Sequence, residues 1–324
     1  MPSYSQFLAA LRLNLSGRSD ARIETGGILR YRTADGTVDY ESVKVVSEPI
    51  LAEDRIIIIR AGIHGDEVAG PLTLMKYAGK IFDYARLKGV KLVVFPLDNP
   101  SGFEAGTRYN VEGDRGDAGN NDFVRYQLQN GEIADDLGSQ NEFDRWYWSS
   151  DPRFGAHLPE ETRWLHRELK KIPFTQVGAV LDIHGDNFIS RPYAYHYGFG
   201  DLSVYRPIVE KISGIAPILA HAEVNSGYLN GPGFIPEVVR DGQIVIGDLD
   251  VKSDEMGFIV RYDGSLPDLA SRLGVRYAIT VETTAGLSQD QKDSVNLIWV
   301  YGLIDLVAAE SKRPLSDSDL VADC

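Results

Sequence analysis

The chain has 324 residues, 43% of them apolar, so it can bury a large core, and length alone suggests about two domains. Its formal net charge is −14 and its pI near 4.9, with no block of Lys and Arg, which excludes the basic footprint of a nucleic-acid binder and argues against an acidic membrane surface. The single cysteine is Cys324, the last residue, which excludes internal disulfides and a Cys-based zinc site or thiol nucleophile in the core.

The start, Met1-Pro2-Ser3-Tyr4-Ser5-Gln6-Phe7-Leu8, has no basic segment ahead of a long apolar run and does not read as a signal peptide. Residues 23–47 alternate around Thr33-Ala34-Asp35-Gly36, and Asp-Gly between alternating runs predicts a hairpin. A buried strand is expected at 55–62, a helix near 68–80 and a strand from Val90 to Phe95. Pro159-Glu160-Glu161-Thr162 opens a helix whose apolar positions include Trp164, Leu165 and Leu169. Val177 to Ile183, broken only by Gly178 and Asp182, reads as another buried strand. Strands are expected near 244–249, 256–262 and 276–282, and a last helix over 291–310. The apolar stretch Val295–Ala309 carries Asp305 and is too short to span a bilayer, so the expectation is a soluble, cytoplasmic protein.

Strands alternating with helices predict an α/β sheet covered on both faces. One stretch departs from the pattern. Leu97 to Leu158 has little periodicity and much Gly, Asn and Asp, yet it holds Phe143, Trp146, Tyr147, Trp148 and Phe154. Loops this long are functional or disordered. The aromatic cluster argues for order, so this segment is expected to line or cover a site.

Four signals fall at predicted strand ends or in that loop. His64-Gly65-Asp66-Glu67 follows the strand at 55–62, and Asp182-Ile183-His184 ends the strand at 177–183. Asn99-Pro100-Ser101-Gly102 leads to Arg108, and Glu282 ends the strand at 276–282. Each has a plain structural reading: His184 as a satisfied core histidine, Glu282 paired with a surface arginine, Arg108 as a solvated charge. Asp182 shares a strand face with His184, so it can orient that ring or cap a neighbouring backbone group. Taken together the signals have one economical reading. An unpaired Glu at a buried strand end is costly, whereas two His and one Glu form a catalytic zinc shell with an open position for water. Glu282 would then move the proton of a zinc-activated water, and Arg108 would stabilise the oxyanion on the attacked carbonyl. A second His-x-x-Glu pair, His157 and Glu160, precedes a helix instead, where Glu160 suits the helix dipole. His166, His196 and His221 show no partner spacing and are expected to have core or surface roles. Neither a Gly-x-Ser-x-Gly elbow nor a glycine-rich phosphate or dinucleotide loop occurs.

These residues resemble the zinc carboxypeptidase family, the carboxypeptidase A-like metallopeptidases, from about Arg55 onward. His64 and Glu67 look like its first ligand pair and His184 like its third ligand. Asn99-Pro100-Ser101-Gly102 resembles its Asn-Pro-Asp-Gly turn, and Arg108 its carbonyl-polarising arginine. Gly264-Ser265-Leu266-Pro267-Asp268 followed by Glu282 is similar to the segment leading to its catalytic Glu, and Tyr262 to its mobile substrate-binding tyrosine. The resemblance implies a mixed, mostly parallel eight-stranded sheet between helices, one zinc per chain, and hydrolysis of an amide bond beside a free carboxylate. It also implies that 55–312 is a catalytic domain and 1–54 an N-terminal extension with a β-hairpin, which leaves 313–324 as a polar tail. One position departs. Where the family has Asn-Arg to clamp the substrate carboxylate, this chain has Asn120-Asn121, and an amide does not replace a bidentate guanidinium. Arg125, Arg145 or Arg191 would have to supply that charge.

The first reading is therefore a metallocarboxypeptidase acting on a peptide or peptide-like substrate. The second is a deacylase of N-acyl amino acids, similar to the succinylglutamate desuccinylase and aspartoacylase branch. That branch carries a sizeable β domain after the catalytic Glu, whereas here one helix and a polar tail follow Glu282. The third is a metal-binding protein without catalysis.

Overall fold

A computed structural model describes residues 1–113, 123–134, 137, 142–155, 157–187, 189–224, 238–240, 243–246, 253–260, 262 and 264–310. The chain opens with α1 (Tyr4–Asn14), started by a capping box in which Ser3 and Gln6 satisfy each other's backbone N–H. The expected hairpin is β1 (Ala21–Thr33) and β2 (Gly36–Ser47). Then come β3 (Ile56–Ala61), α2 (Ala69–Lys88) and β4 (Lys91–Phe95). The stretch after Leu97 holds α3 (Pro100–Ala105) and a small antiparallel sheet of β5 (Val124–Gln127), β6 (Ile133–Ala134) and β7 (Arg145–Trp148). Next are α4 (Glu160–Leu169), β8 (Val177–Ile183), β9 (Ala194–Gly198) and α5 (Arg206–Ser213). The strand expected near 244–249 is β12 (Gln243–Ile246), in a separate small sheet with β10 (Glu223–Val224) and β11 (Val238–Arg240). The described chain ends with β13 (Phe258–Ile259), α6 (Leu266–Arg272), β14 (Tyr277–Thr283) and α7 (Gln289–Glu310).

The main sheet has eight strands in the order β1-β2-β4-β3-β8-β14-β9-β13. Its centre, β4-β3-β8-β14, is parallel, and β14 pairs antiparallel with β9. The hairpin is not a separate layer: β2 pairs antiparallel with β4, so β1 and β2 form one edge of this sheet. Side chains alternate between the two faces. Ile57, Ile59, Ala179 and Leu181 join α1, α2, α5 and α7 in one core, and Ile56, Ile58 and Val180 join α4, α6 and β5 in the other. No described helix is long and apolar enough to cross a membrane.

His196 on β9 belongs to the core. It is fully buried, with its ring 4.8 Å from Trp299 and 5.1 Å from Phe258, and neither ring nitrogen has a hydrogen-bond partner among the described residues. Burial pushes its pKa down to about 3. The unfolded chain takes up a proton near pH 6.5 that the folded chain refuses, so stability is lost as pH falls from there toward the folded pKa, by about 1.4 kcal/mol per pH unit. We expect His196→Leu to lose about 2 kcal/mol less than the parent between pH 7 and pH 5 in urea unfolding. Equal losses would show that this imidazole is not buried neutral.

Candidate metal centre

The carboxyl ends of β3, β8 and β14 lie side by side, where ligand sites of open α/β sheets gather. The register sets Arg60 of β3 opposite Asp182 of β8, and Asp182 opposite Thr280 of β14. One pleat further on, the same face carries His184 and Glu282. After β3 the chain turns at Gly62, whose φ of +70° disfavours any other residue, and this turn brings His64 back over the strand ends. Gly65 then packs on the backbone of Gly102, where a Cβ would collide. Asn99 fixes the other side. Its Oδ1 accepts the Gly102 N–H at 2.9 Å as the cap of α3, and its Nδ2 lies 3.4 Å from the carbonyls of Ile63 and Arg108. The Arg108 carbonyl in turn accepts the Gly65 N–H at 3.0 Å. The Asn-Pro-Ser-Gly turn thus joins the segment bearing Arg108 to the segment bearing His64.

Glu67 is the centre of the cluster. His64 Nδ1 is 2.8 Å from its Oε1, and His184 Nδ1 is 2.8 Å from its Oε2. Arg108 Nη1 donates to Oε1 at 2.7 Å and the Gly185 N–H to Oε2 at 3.2 Å. On its other side His184 Nε2 lies 3.2 Å from Asp182 Oδ2. Burial pushes the pKa of His64 down to about 4, against the pull of Glu67. Burial also disfavours charge on His184, but Asp182 and Glu67 outweigh it and hold that pKa well above the usual histidine range. Glu67 itself is buried, yet the two histidines hold it well below the usual carboxylate range. Beside them sits Glu282, half-buried, its Oε2 buried without a hydrogen-bond partner among the described residues. Burial drives its pKa well up; His184 and Arg108 oppose this, and the carboxylates of Glu67 and Asp186 add to it.

His64, Glu67 and His184 are all buried, and their donor atoms lie within 4.8 Å of one another. Bonds of about 2.0–2.1 Å in a tetrahedral zinc set place donors roughly 3.3 Å apart, about half an ångström more than the 2.8 Å separating each imidazole Nδ1 from its Glu67 oxygen. His64 Nδ1 faces the Glu67 oxygen out of hydrogen-bond geometry and has no other partner among the described residues. A buried acceptor left in that state costs free energy, and a cation on the imidazole would satisfy it. The donor set therefore fits a metal, and Asp182 stands where a carboxylate fixes the tautomer of a ligating imidazole.

Solved structures share this architecture. A candidate metallopeptidase from Shewanella amazonensis SB2B superposes with a TM-score of 0.58 at 19% identity, covering 94% of this chain and 92% of that one. A metallo-carboxypeptidase from Burkholderia cenocepacia gives 0.55 at 14% identity, covering 95% and 69%. The chain has the fold of the metallo-carboxypeptidases. Bovine thrombin-activatable fibrinolysis inhibitor, solved with a tick carboxypeptidase inhibitor, gives 0.55 at 13% identity over 95% of this chain and 98% of that one. A family model described as the succinylglutamate desuccinylase/aspartoacylase catalytic domain matches residues 53–120, the stretch that carries β3, His64, Glu67, the Asn99 turn and Arg108. No curated protein sequence matches the chain.

Within this fold the other expected residues have mixed placements. Asn120 and Asn121 lie outside the described residues. Tyr262 is held between Phe199, 5.5 Å away, and the Arg272 guanidinium 4.6 Å over its ring, and so packs against the second core. Arg125 of β5 lies 5.5 Å over the Phe154 ring. Arg145 is exposed, 3.8 Å from Asp144. Arg191 is exposed, and its carbonyl accepts the Thr284 hydroxyl. The pair His157 and Glu160 lies apart from the cluster, lining a surface cavity of about 550 Å³ with Arg30, Arg32 and Arg163.

Three buried acids were not singled out by sequence reasoning. Glu161 accepts from Tyr31 Oη at 3.0 Å and from Asn110 Nδ2 at 3.1 Å, tying the hairpin to the loop that carries Arg108. Asp186 accepts from Tyr195 Oη at 2.8 Å and the Ile189 N–H at 3.1 Å. Asp98 pairs with Arg60, and burial raises its pKa to about 7 against that cation's pull. Arg60 was the available signal, since it interrupts the apolar run of a strand whose side chains are all buried.

Proposed function

We propose that the protein is a zinc-dependent hydrolase that cleaves an amide bond, acting first of all as a metallocarboxypeptidase on a peptide or peptide-like substrate. The observation that carries this is the convergence of two imidazole Nδ1 atoms on the Glu67 carboxylate, with Glu282 beside them, its buried Oε2 without a hydrogen-bond partner among the described residues. Zinc held by His64, Glu67 and His184 supplies a Lewis acid and a water of lowered pKa. Glu282 would take a proton from the attacking water on its carboxylate and return it to the leaving nitrogen, its pKa being driven up from the ordinary carboxylate value by burial. Arg108, whose Nη1 donates to Glu67, would set its positive charge beside the developing oxyanion. Asp182 holds the His184 ring in the tautomer that leaves Nδ1 free for the ion.

The match of residues 53–120 to the desuccinylase/aspartoacylase domain favours a second reading, a deacylase of N-acyl amino acids. Asn121 bears on the choice, because it stands where a carboxylate-clamping arginine would be. Rates on peptides with free C-termini, the same peptides amidated, and N-acyl amino acids separate the two. Cleavage of free-ended peptides with little on amidated ones is the expected result. Turnover confined to N-acyl amino acids would replace the carboxypeptidase reading with the deacylase, and a preference for amidated ends would show that no terminal carboxylate is recognised.

A further inference from the structure

Arg60 is the most deeply buried cation near the site among the described residues. It is wholly inaccessible and lies on the sheet face that carries His184. Its Nε donates to Asp98 Oδ2 and its Nη1 to Asp182 Oδ2 at 2.9 Å, while the Phe123 ring covers the guanidinium at 4.7 Å. Asp182 Oδ2 is also the atom facing His184 Nε2. Asp98 is bound into the strand ends as well, since its N–H donates to the Ala61 carbonyl at 3.1 Å, and the next N–H, of Asn99, donates to Gly62 at 2.9 Å. One guanidinium therefore joins the carboxylate behind a candidate ligand to the turn that sets the Arg108 segment.

Stability does not account for this arrangement. Two acids and one arginine are withdrawn from water, and Arg60 Nη2, Asp98 Oδ1 and Asp182 Oδ1 have no hydrogen-bond partner among the described residues. A buried ionic network left partly unsatisfied is a poor source of stability compared with apolar side chains of the same volume. A planar two-armed donor does one thing that apolar side chains cannot, which is to fix two carboxylates in a set geometry.

We propose that Arg60 is a positioning residue of the metal centre, holding Asp182, and through it the His184 ring, in the orientation that binds the ion. This rests on the zinc reading above. Without the cation, Asp182 faces Asp98 as a second buried carboxylate, turns away or takes a proton, and no longer accepts from His184 Nε2. The ring then loses its fixed tautomer, and losses of that kind weaken metal binding by about 10- to 100-fold.

The test is the zinc dissociation constant of the full chain, measured by competition with a chelating dye, beside its thermal unfolding. Arg60→Lys, whose ammonium is a point donor and cannot span both acids, is expected to raise the Kd by roughly 10- to 100-fold. Asp98→Asn, which leaves the Nη1 bond to Asp182 in place, is expected to keep the parent's Kd. Asp182→Asn should match Arg60→Lys, and combining the two should weaken binding no further, as for residues acting through one contact. A merely structural Arg60 would lower the unfolding temperature and leave the Kd of the folded protein unchanged; that result, or full additivity with Asp182→Asn, overturns the inference. If Arg60→Lys does not fold, Arg60→Met with Asp98→Leu replaces the buried pair by apolar side chains and is judged by the same outcomes. A parent chain that binds no zinc sinks the reading of the site itself. A parent that binds zinc beside an Arg60→Lys variant that binds it equally sinks only the role of Arg60.

Discussion

Glu282→Gln is expected to lower kcat by a factor on the order of 10²–10⁴ while the protein still binds one zinc per chain. The amide keeps the shape of the side chain but cannot take a proton from water or hand one to a leaving amine. Glu282 is outside the ligand group of His64, Glu67 and His184, so the ion should remain. Stability supplies a second, independent readout. The pKa of Glu282 is raised well above its ordinary 4.5, mainly by burial. For such a group the folded state holds the proton and the unfolded state releases it. Its contribution is therefore most favourable below the unfolded pKa, and stability is lost as pH rises from there toward the folded pKa. At neutral pH the zinc-free parent bears that cost and the Gln variant does not. The variant should be slower by that factor yet at least as stable as the parent, the trade-off expected of a strained functional group. A variant that retains turnover would remove Glu282 from proton transfer. One that loses both turnover and stability would make it a structural residue.

The centre of the fold was legible because β3 and β8 are buried on both faces and so read as nearly unbroken apolar runs. That His64, Glu67 and His184 come together was legible for a related reason: a polar residue at the end of such a run must find a partner or a ligand. Arg60 was equally visible as an interruption, but its meaning was not. Its partners lie 38 and 122 positions away, and which strands become neighbours is decided by the order of the whole sheet. The hairpin was found by its Asp-Gly turn and alternation, yet nothing local reveals that β2 pairs with β4. It therefore read as an extension, although it supplies Tyr31 to the network around Glu161. α1 lacks a strong apolar stripe, but Ser3 and Gln6 at capping-box spacing were a signal that went unused. β9 was hidden because its His196 is buried by packing that only the tertiary structure supplies.

Replacing Glu67 and replacing His64 should both abolish stoichiometric zinc, but with different consequences for the zinc-free protein. Both are ligands in the proposed set, and removal of either leaves two donors where the ion needs three. Glu67 also has a role without the ion, since it is the buried anion onto which Arg108, the Gly185 N–H and the two imidazoles converge. Deleting one partner of a buried ion pair leaves the other charges uncompensated, at a cost of about 3–5 kcal/mol. His64 is neutral, with its pKa pushed down to about 4, and its Nδ1 makes no hydrogen bond among the described residues. His64→Asn should therefore cost only about 1–2 kcal/mol, for lost packing. Urea unfolding of both variants with a chelator present measures the contrast, and metal analysis of the purified proteins measures the binding. Zinc should also stabilise the parent by an amount that grows with its concentration, about 2.7 kcal/mol at a hundred times the Kd, and neither variant should respond. If Glu67→Ala unfolds at the same urea concentration as His64→Asn, Glu67 is not the anion that holds the cluster together. If either variant still carries one zinc per chain, the ion is bound by other residues.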